Sequence, residues 1–134
     1  MARVALNTGN LVDYETDARG TYGANLDLTS GDGSVTYTTI TTGTNNGVYF
    51  SFNDTELIVL RNDSGSSRVF TIPLSEPSGY SKYGITFTDK TYTVANGKTV
   101  LIVPDSRLKD SSNYINVDCD GAGKILVVKR YTIV

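Results

Sequence analysis

The sequence predicts an all-β protein: a single antiparallel β-sandwich, jelly-roll-like or immunoglobulin-like, with an extended N-terminal arm. Composition favours strands, because Thr, Val, Tyr, Ile and Phe account for 52 of the 134 residues. Short apolar stretches recur about every ten residues, with Gly, Asn and Asp turns between them, as in sandwiches and barrels. No intervening segment is long enough for the crossover helix of a parallel sheet. Periodicity does not reveal the order of strands within a sheet, so the jelly-roll-like and the immunoglobulin-like topology both stay open.

A chain of 134 residues is expected to form one domain with its own hydrophobic core. We divide it into an arm, residues 1–34, and a sandwich, residues 35–134. The apolar residues of the arm lack sustained periodicity, and the turn-type cluster Gly31-Asp32-Gly33-Ser34 closes it. We expect one short strand in the arm, at Arg3–Leu6. Two interpretations are open: a flexible terminus, or an arm that orders against a neighbouring subunit.

The first half of the sandwich region contains four predicted strands. The first has a near-alternation that slips by one residue, as at a β-bulge. The turn after it ends in Asn46-Gly47, where a positive φ is expected. Pro73 has no N–H to donate, so its strand is expected to end there or to lie at an edge. The predicted strands are Val35–Ile40, Val48–Phe52, Leu57–Arg61 and Arg68–Leu74.

The second half continues the pattern of strands and turns. Asn96-Gly97 predicts a hairpin, and Asp105 is the expected N-cap of one helical turn that reaches Asp110. The alternation in 114–119 predicts Tyr114, Asn116 and Asp118 outward and Ile115, Val117 and Cys119 inward. Predicted strand material lies around Ile85 and Phe87, at Tyr92–Val94, Thr99–Val103 and Tyr114–Cys119, and over Lys124–Val134.

Composition excludes several classes of function. Without His, neither Ser-His-Asp nor Cys-His catalysis is available, and one Cys allows no internal disulfide. The net charge of −2 argues against nucleic-acid binding. No apolar run approaches the roughly 20 residues that span a bilayer. The segment Met1–Asn7 becomes polar too early for a signal peptide, so the protein is expected to stay where it is made or to leave by lysis. We predict no enzymatic activity and no cofactor.

Residues 118–123 begin like a calcium loop, but no acidic residue follows them, whereas such a loop needs a Glu at its twelfth position. We therefore expect a hairpin turn there and predict no metal site. Cys119, on an inward face with no His to activate it, is expected to be buried and inert. The sequence leaves open whether Asp27, Asp32, Asp118 or Asp120 binds a metal.

The candidate binding residues come from the arm and from one loop. The arm carries many apolar residues for a segment that stays in water. Tyr80 and Tyr83 lie in a loop rich in Pro, Gly and Ser, and tyrosines of this kind often contact partners. Tyr49, Tyr92 and Tyr131 lie in strands and are expected to be structural. The predicted partner-binding residues are Leu6, Leu11, Val12, Tyr14, Tyr80 and Tyr83.

From about Val48 onward, turns and strands follow one another in a recognisable order. The segments are Asn53–Asn62, Ser64–Ile72, Thr91–Thr99, the Pro-containing connection Pro104–Tyr114, and a closing hairpin of Ile115–Val117 with Ile125–Val128. In this order the chain resembles the small β-sandwich decoration, or cement, proteins of tailed bacteriophage capsids. The resemblance covers about two thirds of the chain. It rests on the order of turns and strands rather than on residues with catalytic chemistry.

The resemblance implies a structural virion protein, made in the host cytoplasm, that binds the major capsid protein on the outer surface of an icosahedral head. It also implies self-association as a trimer or dimer. Deleting residues 1–30 is then expected to weaken shell binding while the sandwich stays folded. Two alternatives are open: another virion component (tail, neck or head fibre), or a carbohydrate-binding module. Such modules usually present exposed aromatic residues, often Trp. This chain has no Trp.

Overall fold

The protein is an all-β sandwich, as seen in a computed structural model that describes residues 3–6, 9–10, 31–32, 35–40, 47–74, 84 and 88–129. These described residues include one short 3₁₀ turn. The 3₁₀ turn, Ser106–Leu108, has Asp105 as its N-cap, as predicted. The strands are β1 (Val4–Ala5), β2 (Gly9–Asn10), β3 (Gly31–Asp32), β4 (Val35–Thr36), β5 (Thr38–Thr39), β6 (Val48–Ser51), β7 (Glu56–Arg61), β8 (Arg68–Ile72), β9 (Lys90–Val94), β10 (Thr99–Ile102), β11 (Tyr114–Cys119) and β12 (Lys124–Lys129).

Two sheets pack face to face. The first sheet has the order β1-β6-β11-β8-β9, and the second has the order β10-β7-β12-β2. Strand β12 has two short partners on the side away from β7. β5 pairs with its first residues, and β2 pairs with its last residues. The main ladders are antiparallel, as predicted, whereas β1 and β2 run parallel to β6 and β12. A small β3–β4 ladder is separate from both sheets.

Most connections between successive strands cross from one sheet to the other. Strand β6 leads to β7, β9 to β10, and β11 to β12, each pair divided between the two sheets. The predicted hairpins at Asn96-Gly97 and between 115–117 and 125–128 are therefore wrong, because their strands do not pair with each other. Gly97 does adopt a positive φ of 77°. Its N–H donates to the backbone oxygen of Asn62 at 2.6 Å, so the turn is held by β7 and the residues after it rather than by a hairpin ladder.

Asn62 joins two turns at one end of the sandwich. Its side chain is fully buried. The amide Nδ2 donates to the backbone oxygens of Ser66 and Val94, and Oδ1 accepts hydrogen bonds from the backbone N–H and hydroxyl of Ser64. Because buried amides are stable only when their hydrogen-bonding groups are paired, this network fixes the turn after β7 against the end of β9.

The main core fills the space between the sheets. The predicted alternation is confirmed in β8, where Phe70 and Ile72 are buried, and in β11, where Ile115 and Val117 are buried. β8 ends just before Pro73, although it is a central strand. The buried residues of this core are Ile40, Val48, Phe50, Phe52, Ile58, Leu60, Phe70, Ile72, Val94, Ile102, Leu108, Ile115, Val117, Cys119, Ile125 and Val127.

A second apolar cluster lies on the outer face of the second sheet. Val59, Leu126 and Val128 are buried there, and Leu57 and Tyr37 pack against them. Strands β7 and β12 therefore bury side chains on both of their faces. Tyr37 lies between β4 and β5, at the point where the predicted strand 35–40 is interrupted, which agrees with the expected irregularity in its alternation.

Residues 3–6 and 9–10, here called the N-terminal strap, join the two sheets along one side of the sandwich. The Val4 N–H donates to the Gly47 oxygen, the Leu6 N–H donates to the Tyr49 oxygen, and Leu6 packs on the main core. A short strand is thus present within Arg3–Leu6, as predicted. These strap residues are constituents of the two sheets. The boundary at residue 34 stays a prediction, since most of residues 1–34 lie outside the described ranges.

Candidate interaction surfaces

Of the six predicted partner-binding residues, the structure describes Leu6. This side chain is partly buried against the main core, so it contributes to closing the sandwich. The other five, together with Asp27 among the acidic candidates, lie outside the described residues: Leu11, Val12, Tyr14, Tyr80 and Tyr83. The described features of interest are an apolar edge, a pair of tyrosines and a partly buried ion pair.

Leu101 and Val103, here called the apolar rim, are large apolar side chains exposed to solvent. Among the described residues outside the N-terminal strap, no other large apolar side chain is as exposed. Leu101 is 60 % exposed and Val103 is 64 % exposed. Register places Leu101 beside Val59, which in turn pairs with Leu126 on β12. One row across the second sheet is thus buried at two positions and exposed at the third. The sequence predicted the strand but not this difference in exposure.

The rim is held by buried neighbours on either side along the chain. Ile102 faces the main core, and Pro104 is also buried, so Val103 projects from a stretch of backbone anchored before and after it. Scattered exposed apolar residues are common on monomeric proteins, whereas large contiguous apolar patches are typical of interaction sites. The rim can therefore bury apolar area against a partner without ordering a flexible segment first.

The tyrosine platform, Tyr49, Tyr114 and Asn116, lies on the outer face of the first sheet. The two ring centroids are 4.8 Å apart and the ring planes are inclined by 50°. Asn116 lies directly across from Tyr49 in the ladder. All three side chains are half-buried, so part of each is accessible to solvent. The sequence predicted that Tyr49 is structural and that Tyr114 and Asn116 face outward, but not that the three residues meet.

Asp110 fixes the amide of Asn116. Its Oδ2 accepts a hydrogen bond from Asn116 Nδ2 at 3.0 Å, and its Oδ1 accepts from the backbone N–H groups of Ser112 and Tyr114. Burial alone would raise the pKa of Asp110, but these hydrogen bonds and the charge of Arg3 outweigh it and hold the pKa below its usual value. The carboxylate therefore remains charged at neutral pH and orients the amide.

Arg3 and Asp118 form a two-pronged ion pair beside the platform. The Arg3 Nε and Nη2 atoms each lie 2.7 Å from an Asp118 carboxylate oxygen. The Gly47 N–H also donates to Asp118 Oδ1, at 3.2 Å. Asp118 is on the predicted outer face but is only 7 % exposed, because the strap lays Arg3 over it. The expectation that it faces solvent is therefore wrong.

Gly47 is required for close packing at this ion pair. The structure shows positive φ at Gly65, Gly84 and Gly97 among the described glycines, but not at Gly47, so the expectation of a left-handed turn residue there is wrong. A Cβ at Gly47 would lie 1.8 Å from the backbone oxygen of Val117. Only glycine lets residue 47 approach β11 closely enough to donate to Asp118.

The remaining candidate groups are structural. Cys119 is buried, as predicted, and burial raises the pKa of its thiol, which disfavours the reactive thiolate. Both oxygens of Asp118 are engaged by Arg3. Within the described ranges, no three residues of the His, Cys, Asp or Glu types are grouped so that they could hold a metal ion. The same part of the chain has no helix that is long and apolar enough to cross a membrane.

Comparison of the chain with known protein families, with curated proteins and with solved structures found no match.

Proposed function

We propose that this protein is a structural component of a bacteriophage virion, a decoration protein that binds the outer surface of the icosahedral head and stabilises it. The observation that supports this most directly is the apolar rim, because Leu101 and Val103 are large, adjacent, exposed and firmly positioned. The sandwich fold and the resemblance of its turn and strand order to decoration proteins point the same way. The partner is then the major capsid protein.

Stabilisation would come from buried contact area. Removing apolar surface from water contributes roughly 25 cal/mol per Å², against which stand the entropic costs of association. Two side chains supply only part of the required area, so the predicted arm and loop contacts would add to it. Self-association as a dimer or trimer would also help, because a linked second binding event takes place at high effective concentration.

The first test is to locate the protein in its native source. A lysate is separated on a density gradient, and the fractions are probed for this chain by mass spectrometry. We expect it at capsid density and at a copy number comparable to that of the major shell protein. About a dozen copies per particle would instead indicate a neck or tail component. Recovery only in light fractions would overturn the virion assignment.

A second test examines the rim with purified particles lacking the protein. We expect the double variant Leu101→Ser, Val103→Ser to bind at least about tenfold more weakly than wild type, since truncating central interface anchors commonly has effects of this size. Thr93→Ala on β9 is the control, because Thr93 is exposed and lies outside both the rim and the arm. Equal losses in both variants would show that the rim has no specific role.

A further inference from the structure

We propose that the tyrosine platform is a binding site for a neutral saccharide. This activity lies beyond shell binding, since the platform is on the first sheet and the rim is on the second. The platform combines an aromatic pair with an oriented amide, and a carboxylate lies beside the amide.

The aromatic pair offers the apolar part of such a site. Because the rings of Tyr49 and Tyr114 are inclined by 50°, they form an angled apolar corner rather than a closed stack. Aromatic faces carry a negative quadrupole that attracts the weakly positive C–H groups on one side of a pyranose ring. Within the described part of the chain neither tyrosine hydroxyl has a hydrogen-bond partner, so both can bond to sugar hydroxyls.

Asn116 offers the polar part of the site. Asp110 engages one N–H of its amide, which fixes the plane of the group. The carbonyl oxygen and the second N–H have no partner among the described residues. A planar amide with a free donor and a free acceptor can pair with two neighbouring hydroxyls of a sugar. Because Asn116 lies directly across the ladder from Tyr49, one ring can reach the amide and the aromatic face together.

Small residues flank the platform and leave room for a ring to approach. Ala5 pairs with Tyr49, and Ser51 pairs with Tyr114. Both are exposed. Small side chains at these two positions add little bulk beside the tyrosines.

The surrounding charges select against acidic sugars. Arg3 is neutralised by Asp118, with 2.7 Å contacts on both carboxylate oxygens. Asp110 adds a carboxylate, charged at neutral pH, at hydrogen-bonding distance from the Asn116 amide. A carboxylated or sulfated sugar would be repelled, whereas neutral hexoses and N-acetylhexosamines would not. If the rim docks on a shell, a site on the other sheet stays open to glycans in solution; this placement rests on the proposed function, but sugar binding does not.

The test is an NMR titration of the ¹⁵N-labelled full chain with glucose, galactose, N-acetylglucosamine and their short oligomers, and with sialyllactose as the acidic ligand. We expect a neutral sugar to shift the side-chain amide signals of Asn116 and the backbone signals of Tyr49 and Tyr114. Tyr114→Thr, which keeps a strand-forming residue, is expected to weaken binding at least about fivefold. Tyr114→Phe, which keeps the ring, is expected to weaken it less.

Thr93→Ala on β9 is the control, since Thr93 is exposed and outside the platform. It should bind sugar like wild type, and the thermal midpoint of each variant shows whether it is folded. The proposal is overturned if no sugar shifts the platform signals at millimolar concentration, if only sialyllactose binds, or if folded Tyr114→Thr binds like wild type. Tyr114→Thr should still bind capsids and the rim variant should still bind sugar, so the failure of one proposal is distinguishable from the failure of the other.

Discussion

The outer faces of the two sheets differ in how they meet water. On the first sheet, polar and aromatic side chains of β6 and β11 remain accessible, except where Arg3 covers Asp118. On the second, Val59, Leu126 and Val128 are buried on the outer face. The first sheet is therefore buried on its inner face and accessible on its outer face, whereas the central strands of the second sheet are buried on both faces.

This difference shows that alternation alone does not identify a solvent-facing side. In β11 the outward positions are polar or aromatic, as expected of a half-buried strand. In β7 and β12 the outward positions are also apolar, which is typical of strands covered on both faces. The accessible apolar surface of the second sheet consequently lies at its edge, where Leu101 is exposed.

The largest expected effect comes from truncating a buried side chain on the outer face of the second sheet. Leu126→Ala should lower the free energy of unfolding by about 2–5 kcal/mol, the usual range for a buried leucine. Leu101→Ala, in the same row but exposed, should change it by about 0.5 kcal/mol or less. Urea denaturation of both variants checks this. Similar losses would mean that the two positions are equally buried and that the rim is part of the core.

The ion pair on the first sheet should rank next. Arg3→Ala leaves a buried carboxylate without its main partner, and we expect a loss of about 2 kcal/mol, less than for a fully buried pair. Arg107→Ala removes the exposed pair with Asp105 and should leave the urea midpoint unchanged. A double-mutant cycle with Asp118→Ala isolates the coupling. Additive effects in that cycle would show that the two residues do not stabilise each other.

The same ion pair changes the expectation for deleting residues 1–30. Such a deletion removes Arg3, the parallel pairing with β6 and β12, and the core contact of Leu6. We therefore expect it to destabilise the sandwich, so weaker shell binding of that variant would not identify the arm as a contact. Substitutions at the rim are the cleaner test.

The smallest effect concerns the carboxylate below the platform. The pKa of Asp110 is lower in the folded protein than its ordinary value, so this group contributes stability above about pH 4, and the contribution is lost as pH falls through the folded pKa. Asp110→Asn should therefore be less stable than wild type at pH 6, with a difference that narrows below about pH 4. Thermal midpoints between pH 2.5 and pH 6 measure this, and a constant difference would contradict it.

Much of the fold could be predicted because strands and turns are local. The predicted positions of β6, β7, β8, β10 and β11 agree with the structure within about two residues, since period-two patterns and turn residues mark them. Pairing partners are not local. An apolar strand looks the same whether its turn makes a hairpin or crosses to the opposite sheet, and the hairpin predictions at Asn96-Gly97 and after β11 failed for this reason.

The candidate surfaces were harder to predict from the sequence. The burial of Asp118 depends on Arg3, which is 115 positions away in the sequence. The exposure of Leu101 depends on what covers its row, although its neighbour Val59 has the same apolar character. Tyr49 and Tyr114 were visible as strand residues, but their proximity follows from the register of β6 and β11.

The strap has a kinetic consequence. β2 pairs with β12, so a segment near residue 10 meets one near residue 128, and such distant pairings form slowly because a large loop must close first. During synthesis, the edge of β6 that receives β1 is made long before β12 leaves the ribosome. We therefore expect the early chain to hold an incomplete sandwich, most exposed to association with other chains until its last described strand has been synthesised.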